Sequence, residues 1–294
     1  MRIRDLYNSG KLVISFELFP PKDWQGLAEL YEHFKELIKC KPSFITCTYG
    51  AGGSGGAKEA QQRTYEVLKW IKKDYPQVPL VSHLTCVNAT KEELKDYLTK
   101  VNELGVVGIV ALRGDAPGKT KQFIPYPGGF RYAVELVRMI KEEFPNLSVL
   151  VAGYPEKHPE APTLEEDIKH LKEKVDAGGE VVLTQLFYNN EDFYRFRDLC
   201  VKAGINVPIV PGILPVTNLS QVKRITSLCG AKINEMLLQR LEKYPDDEEG
   251  QFLVGVYYAT GQVEDLIKNG VPGIHFYVLN KSRSAQYICK ALSL

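Results

Sequence analysis

Short runs of apolar and β-branched residues recur along the chain, and each is followed by a longer stretch with helical periodicity. The apolar runs lie at 12–18, 44–49, 80–85, 107–112, 148–152, 181–187, 208–213 and 273–279. The periodic stretches predict helices at 24–40, 58–74, 90–104, 130–144, 163–177, 190–204, 217–243, 247–269 and 281–293. This alternation is typical of repeated βα units.

Several of the apolar runs have no polar face, as in VGIVAL at 107–112. Parallel strands that helices cover on the outside have this pattern. Consecutive βα units without an intervening linker predict an α/β fold, a single (β/α)8 TIM barrel over residues 1–294. The helix at 247–269 is then an extra helix before the last strand. An open, doubly wound sheet is the alternative that the strand number does not exclude.

Composition narrows the classes of function. The 37 basic and 36 acidic residues are interspersed, which argues against a nucleic-acid-binding protein. The first residues lack the apolar segment of a signal peptide, and no apolar run is long enough to cross a membrane, so we expect a cytoplasmic protein. The six cysteines form no Cys-x-x-Cys motif, and they favour reduced thiols over a disulfide framework or a metal site.

A glycine-rich segment follows the second apolar run. Gly50, Gly52 and Gly55 satisfy the G-x-G-x-x-G pattern between a predicted strand and a predicted helix, the context of a dinucleotide-binding site. However, this unit is the second of the series, and the next strand ends without the acidic residue that would bind a ribose. A loop at the barrel mouth that lets backbone approach a ligand closely is the favoured interpretation.

Catalytic groups of a barrel enzyme lie at the C-terminal ends of the strands. The first strand carries Glu17 between Phe16 and Phe19, just before two prolines. Aromatic surroundings would favour the protonated carboxyl that a general acid requires. A structural glutamate in a salt bridge is the alternative interpretation.

Other strand ends carry polar or aromatic side chains that suit a large planar ligand, with no metal-ligand set evident. These residues are Thr48, Tyr49, His83, Thr85, Arg113, Asp115, Tyr154, His158, Gln185, Tyr188, His275 and Tyr277. Arg113, His158 and Lys174 could contact phosphate, so a flavin fits the set. These residues alone predict a barrel enzyme with an organic cofactor or a heterocyclic substrate.

At these strand ends the sequence resembles the methylenetetrahydrofolate reductase family. The shared motifs include SFELFPP at 15–21, TYGAGGS at 48–54, ALRGD at 111–115, YPEKHPEA at 154–161 and HFYVLN at 275–280. The resemblance implies a (β/α)8 barrel that reduces 5,10-methylenetetrahydrofolate to 5-methyltetrahydrofolate. It also implies bound FAD, NADH or NADPH as electron donor, and ping-pong hydride transfer through the flavin.

The resemblance further implies roles for individual residues. Glu17 matches the acid that protonates a folate nitrogen, Asp115 a carboxylate near flavin and folate, and Gln185 an amide that binds the pterin edge. Positions of substrate contact match Glu17, Asp115, Gln185, Gln221 and Lys281, the last standing where some members have Arg. Flavin-binding positions match Thr48, Tyr49, Ala51, His83, Arg113, Gly114, Asp115, Tyr132, Ala133, Tyr154, His158, Asp167, His170 and Lys174.

Two alternative functions remain, and each is one that similar chains are thought to perform. One is a tetrahydrofolate-dependent demethylase without hydride chemistry. The other is a subunit that takes electrons from a partner redox protein instead of a nicotinamide. A non-catalytic metabolite-binding barrel would not explain an acid, a carboxylate and an amide at three strand ends. The resemblance also implies a homo-oligomer, either a dimer or a tetramer.

Overall fold

Parallel strands in this protein close into a barrel. The structure is a computed structural model that describes residues 2–48, 57–115 and 123–294. The strands are β1 (Val13–Leu18), β2 (Phe44–Cys47), β3 (Leu80–Thr85), β4 (Gly108–Leu112), β5 (Ser148–Gly153), β6 (Val181–Leu186), β7 (Ile209–Ile213) and β8 (Gly273–Tyr277). They pair in chain order, and β8 pairs with β1. The predicted (β/α)8 barrel is therefore confirmed, and the open sheet is excluded.

Helices surround this barrel and connect its strands. They are α1 (Ile3–Leu6), α2 (Trp24–Leu37), α3 (Ala57–Asp74), α4 (Lys91–Glu103), α5 (Ala133–Glu143), α6 (Leu164–Asp176), α7 (Asn190–Lys202), α8 (Leu219–Cys229), α9 (Glu235–Leu241), α10 (Glu248–Lys268) and α11 (Arg283–Leu292). A short 3₁₀ helix, Ile38–Cys40, follows α2. The predicted extra helix before the last strand is confirmed as α10.

The single helix predicted at 217–243 is wrong, because the structure has two helices there. Gly230 ends α8 with a φ of 79°, a left-handed conformation that glycine adopts without a steric penalty. Asn234 then starts α9, and its side-chain oxygen accepts hydrogen bonds from the backbone N–H groups of Met236 and Leu237. The apolar period continues across both helices, so periodicity alone did not show the break.

The barrel interior changes character from one end to the other. Apolar side chains fill its N-terminal end: Val13, Phe44, Val81, Val110, Leu150, Val181, Leu183 and Val210. Ile3 of α1 belongs to the same cluster and is fully buried, and its backbone N–H donates to Ser148 Oγ over 2.8 Å. Helix α1 therefore seals this end, and the buried polar side chains lie toward the C-terminal ends of the strands.

No described helix is both long and apolar enough to span a bilayer. All six cysteines are free thiols. Within the described ranges, no cluster of three or more His, Cys, Asp or Glu side chains could hold a metal ion.

Shortening Ile3 tests whether α1 seals the barrel. We expect Ile3→Ala to lower the free energy of unfolding by about 2–4 kcal/mol, because truncation leaves a cavity in a close-packed cluster. Chemical denaturation measures the change. Val201→Ala is the control, since this side chain is 57% exposed, and it should change stability by less than about 0.5 kcal/mol. Equal effects of the two substitutions would contradict a sealing role for α1.

Candidate active site

Glu17 lies inside the barrel near the C-terminal end of β1, where its residue is only 6% exposed. Its Oε2 atom lies 3.4 Å from Nε2 of His83 on β3 and 3.4 Å from Nε2 of His275 on β8. The carboxyl group thus lies between two imidazoles that come from different parts of the chain.

The aromatic residue next to Glu17 in sequence does not surround its carboxyl. Successive side chains of a strand point to opposite faces, so Phe16 points outward into the core between barrel and helices. There its ring lies 5.8 Å from the ring of Phe276, measured between centroids. The expectation of an aromatic environment is therefore wrong for Phe16, and imidazoles provide the contacts instead.

Two of the titratable groups near Glu17, His83 and Tyr277, are uncharged at neutral pH. Burial lowers the pKa of His83 to about 4, although the nearby Glu17 charge opposes this shift. Burial, with the Glu17 charge adding to it, raises the pKa of Tyr277 well above its usual value. The Tyr277 hydroxyl donates to the Thr184 carbonyl over 2.7 Å, and the Thr184 hydroxyl accepts from Gly212 N–H over 2.9 Å. The bond to Thr184 and the raised pKa together keep Tyr277 a neutral phenol near Glu17.

Several buried polar atoms near these strand ends have no hydrogen-bond partner among the described residues. They are the hydroxyls of Thr46, Thr48 and Thr85 and Nε2 of His83. A buried polar group without a partner costs about 1–3 kcal/mol, so such groups usually indicate a ligand or water. Gly114 lies close by with a φ of 85°, and a Cβ there would come within 3.0 Å of Val87 Cγ1.

Arg113 and Asp115 follow β4 but differ in their partners. The Arg113 guanidinium makes two hydrogen bonds to the carboxylate of Glu160, at 2.7 and 2.5 Å, and lies over the ring of Phe123. Asp115 is exposed at the edge of the described residues. A phosphate group at Arg113 would therefore have to compete with Glu160.

The predicted contacts at β5 and α6 form one cluster. The rings of Tyr154 and His158 meet edge to face with centroids 4.8 Å apart, and Asp167 accepts from His158 N–H over 2.9 Å. Lys174 Nζ donates to the Ala152 carbonyl over 2.7 Å, and burial lowers the pKa of this amine to about 8, although Asp167 opposes the shift. Burial also lowers the pKa of His158. An added negative charge beside Lys174 would favour the protonated form of its amine.

Other predicted residues stand apart from this cluster. His170 is exposed on α6, where its ring pairs with Glu173 over 3.3 Å. Gln221 and Lys281 are exposed near the starts of α8 and α11. No described hydrogen bond or ion pair links the side chains of these three residues to Glu17.

The remaining predicted residues lie at element boundaries or outside the described ranges. Tyr132, which is 52% exposed, precedes α5, and Ala133 begins this helix. Gln185 is half-buried near the end of β6, and its side-chain oxygen accepts from Leu186 N–H over 2.9 Å. Tyr49 and Ala51, together with the glycine-rich segment, fall outside the described residues.

Sequence reasoning did not predict that Ser15 and His275 lie next to Glu17. Ser15 Oγ lies 2.8 Å from His275 Nδ1, and both residues are fully buried. The spacing of Ser15 and Glu17 by two residues already places them on one face of β1. Their contact with His275 depends on the pairing of β1 with β8, which sequence spacing does not show.

Comparison with known proteins matches this barrel along nearly its whole length. The family model described as methylenetetrahydrofolate reductase matches residues 2–293. The chain belongs to the methylenetetrahydrofolate reductase family. Membership in this family places the chain among the oxidoreductases of folate one-carbon metabolism.

Curated members of the methylenetetrahydrofolate reductase family support this assignment. The 5,10-methylenetetrahydrofolate reductase of Escherichia coli K12 is 38% identical over 288 residues, which are 97% of this chain and 92% of that protein. A probable methylenetetrahydrofolate reductase (NADH) of Oryza sativa subsp. japonica is 35% identical over 303 residues. That alignment covers 100% of this chain but 50% of the rice protein, so the chain spans about half the length of this plant relative.

Solved structures share the fold at lower sequence identity. A Clostridium thermocellum protein that binds two copies of 5-methyl-5,6,7,8-tetrahydrofolic acid superposes with a TM-score of 0.65 at 13% identity. The match covers 99% of both chains. At this identity the likeness supports the barrel architecture alone.

The pKa of Lys174 predicts a pH-dependent stability in this member of the family. Because its folded pKa of about 8 lies below the ordinary 10.5, charged Lys174 disfavours folding below about pH 8. This penalty disappears as the pH rises toward the ordinary value. We therefore expect Lys174→Met to stabilise the protein more at pH 7 than at pH 10, by about 1–3 kcal/mol.

Chemical denaturation without added ligand, at both pH values, measures the effect of Lys174→Met. The exposed Lys268, which pairs with Glu264 on α10, provides the matched control Lys268→Met. An equal pH trend in both variants would contradict a special environment for Lys174.

Proposed function

We propose that this chain reduces 5,10-methylenetetrahydrofolate to 5-methyltetrahydrofolate, using FAD and either NADH or NADPH in two successive half-reactions. The observation that carries the proposal is the buried Glu17 carboxyl at the C-terminal end of a barrel that matches the family over residues 2–293. A buried carboxyl beside neutral His83 and Tyr277 suits the activation of a folate nitrogen.

The described residues fit a flavin. The hydroxyls of Thr48 and Thr85 have no hydrogen-bond partner among the described residues and could bond to it. Bound FAD would supply hydride transfer from the nicotinamide to the one-carbon unit. The FAD-binding roles of Tyr49, Ala51, Tyr132, Ala133 and His170 rest on the family resemblance.

The phosphate groups of FAD have candidate partners on the other side of the mouth. Tyr154, His158, Asp167 and Lys174 form one cluster there, and Arg113 lies nearby in its ion pair with Glu160. A phosphate beside Lys174 would favour the charged amine and offset its desolvation. Lys174 is therefore the first candidate for a phosphate contact.

Glu17 would donate its proton to a nitrogen of the folate, so that the five-membered ring opens to an iminium ion. Asp115 carries a negative charge that would stabilise the developing cation. Gln185 uses its side-chain oxygen on Leu186 N–H, which leaves its amide N–H groups to donate to the pterin edge. Exposed Gln221 and Lys281 would contact more distant parts of the substrate, where the Lys281 ammonium suits a carboxylate.

A homo-oligomer, dimer or tetramer, is part of the same proposal. It rests on the family resemblance, and size-exclusion chromatography with light scattering measures it directly.

Optical spectroscopy tests the cofactor and the electron donor. We expect the purified protein to be yellow, with a flavin spectrum that NADH or NADPH bleaches and 5,10-methylenetetrahydrofolate restores. Titration with each nicotinamide separately, followed by the folate, separates the two half-reactions. A colourless protein that binds no added FAD would contradict the proposal. Reduction by a low-potential protein donor, with both nicotinamides inactive, would indicate a partner-dependent subunit instead.

Replacement of the acid should affect one half-reaction selectively. Glu17→Gln keeps the shape of the side chain but cannot act as a carboxylic acid. We expect wild-type flavin reduction by NAD(P)H and at least about 100-fold slower reoxidation by 5,10-methylenetetrahydrofolate. Stopped-flow absorbance measures each step. The matched control is Glu249→Gln, since Glu249 pairs with Arg283 on the outer surface. Equal loss of both half-reactions would argue against a specific acid role.

A further inference from the structure

Helices α2 and α11 meet along a seam on the outside of the barrel. They are the helices that follow the paired strands β1 and β8. His33 Nδ1 of α2 lies 3.2 Å from Oγ of Ser282, the residue that precedes α11. Further along, Gln286 Nε2 of α11 donates to Glu36 Oε2 of α2 over 2.9 Å. The two helices therefore run side by side in the same direction, with contacts about one helical turn apart.

Two cysteines provide the next contact along this seam. Cys40 lies in the short 3₁₀ helix that follows α2, and Cys289 lies one turn after Gln286 on α11. Their thiols hydrogen bond to each other. Cys40 also packs against the apolar cluster that contains Cys289. Three successive contacts along the seam thus place the two sulfur atoms next to each other.

The two thiols differ in exposure and in acidity. Cys40 is half-buried, so a small solute can reach it, whereas Cys289 is only 3% exposed. The hydrogen bond from the Cys289 thiol lowers the pKa of Cys40, although burial and the charge of Glu36 oppose this shift. The same hydrogen bond, together with burial, raises the pKa of Cys289. Cys40 is therefore the more reactive of the two, because the thiolate is the nucleophile.

The other cysteines have a different environment. All six cysteines lie within the described ranges, and Cys40 is the one whose pKa is lowered. Burial raises the pKa of Cys47, Cys86, Cys200 and Cys229. A thiol that is both acidified and in contact with a second thiol is therefore found at Cys40.

We propose that Cys40 and Cys289 form an oxidation site, which reacts with a hydroperoxide such as hydrogen peroxide and closes into a disulfide. The Cys40 thiolate attacks one peroxide oxygen, the O–O bond breaks, and Cys40 becomes a sulfenic acid while the released hydroxide takes up a proton. The Cys289 sulfur then attacks the Cys40 sulfur, so that an S–S bond forms and the S–O bond breaks. The second hydroxide leaves as water with the Cys289 proton. Together the two sulfur atoms lose two electrons, which reduce hydrogen peroxide to two molecules of water.

This disulfide would lie at the end of the barrel opposite Glu17. Both helices start near the C-terminal ends of the strands and run toward the N-terminal ends. The bond would link the segments that follow β1 and β8, and it would enclose most of the chain in one covalent loop. Oxidation should therefore stabilise the barrel, because it restricts the unfolded chain. The inference does not depend on the proposed reductase activity.

Thiol counting and peptide mapping test the disulfide. The purified full-length protein is reduced, freed of reductant and treated with stoichiometric hydrogen peroxide. We expect the number of thiols that react in denaturant to fall from six to four, since one disulfide consumes two. Mass spectrometry should find Cys40 joined to Cys289. Six remaining thiols, a sulfinic acid at Cys40 without a disulfide, or a bond between two chains would overturn the proposal.

Substitutions test the order of the two steps. Cys289→Ser should stop the reaction at the sulfenic acid, which a cyclic diketone reagent labels at Cys40. Cys40→Ser should give neither the label at position 40 nor the disulfide. The matched control is Cys229→Ser, which removes another half-buried thiol and should still allow the disulfide to form. A disulfide that forms in Cys40→Ser as in the wild type would contradict the assignment.

Thermal denaturation followed by circular dichroism tests the effect on stability. We expect oxidation to raise the denaturation temperature of the wild type by about 5 °C or more, and dithiothreitol to reverse the change. Cys40→Ser should denature at the same temperature before and after peroxide treatment. An oxidised wild type that is no more stable than the reduced protein would contradict a bond that locks α2 to α11.

Discussion

Pairing of the last strand with the first is the constraint on which the rest of the site depends. In the register of β1 and β8, Ser15 lies opposite His275 and Glu17 opposite Tyr277. The pairing that closes the barrel brings these residues together although they are far apart in the sequence. Closure also removes both sheet edges, because the backbone N–H and C=O groups of β1 pair with those of β8.

The two ends of the closed barrel differ in the side chains that fill them: one end is apolar, and the other has buried polar groups. Apolar side chains and helix α1 fill the N-terminal end, and this packing supports the strands. The C-terminal end has buried hydroxyls and an imidazole nitrogen without partners among the described residues. Buried polar groups without partners lower the free energy of unfolding. Packing elsewhere in the barrel has to offset this loss.

At the mouth of the barrel, burial shifts the pKa values of titratable side chains more than nearby charges do. Near Glu17, burial keeps His83, Tyr277 and Cys47 neutral. Near Lys174, the same effect lowers the pKa of an amine to about 8, so its charge responds to a bound anion. One part of the mouth therefore places neutral side chains beside a buried carboxyl, and the other contains a buried amine whose charged form is disfavoured.

The sequence by itself predicted the barrel and its extra helix, and it identified Glu17 as a candidate acid, because strand and helix periods and strand-end residues are local properties. It did not reveal the break between α8 and α9, since the apolar period continues across Gly230. It also placed aromatics around Glu17, where the pleat turns Phe16 outward. Only the tertiary structure decided that His83 and His275 contact the carboxyl, because strand register and barrel closure join residues that are distant in sequence.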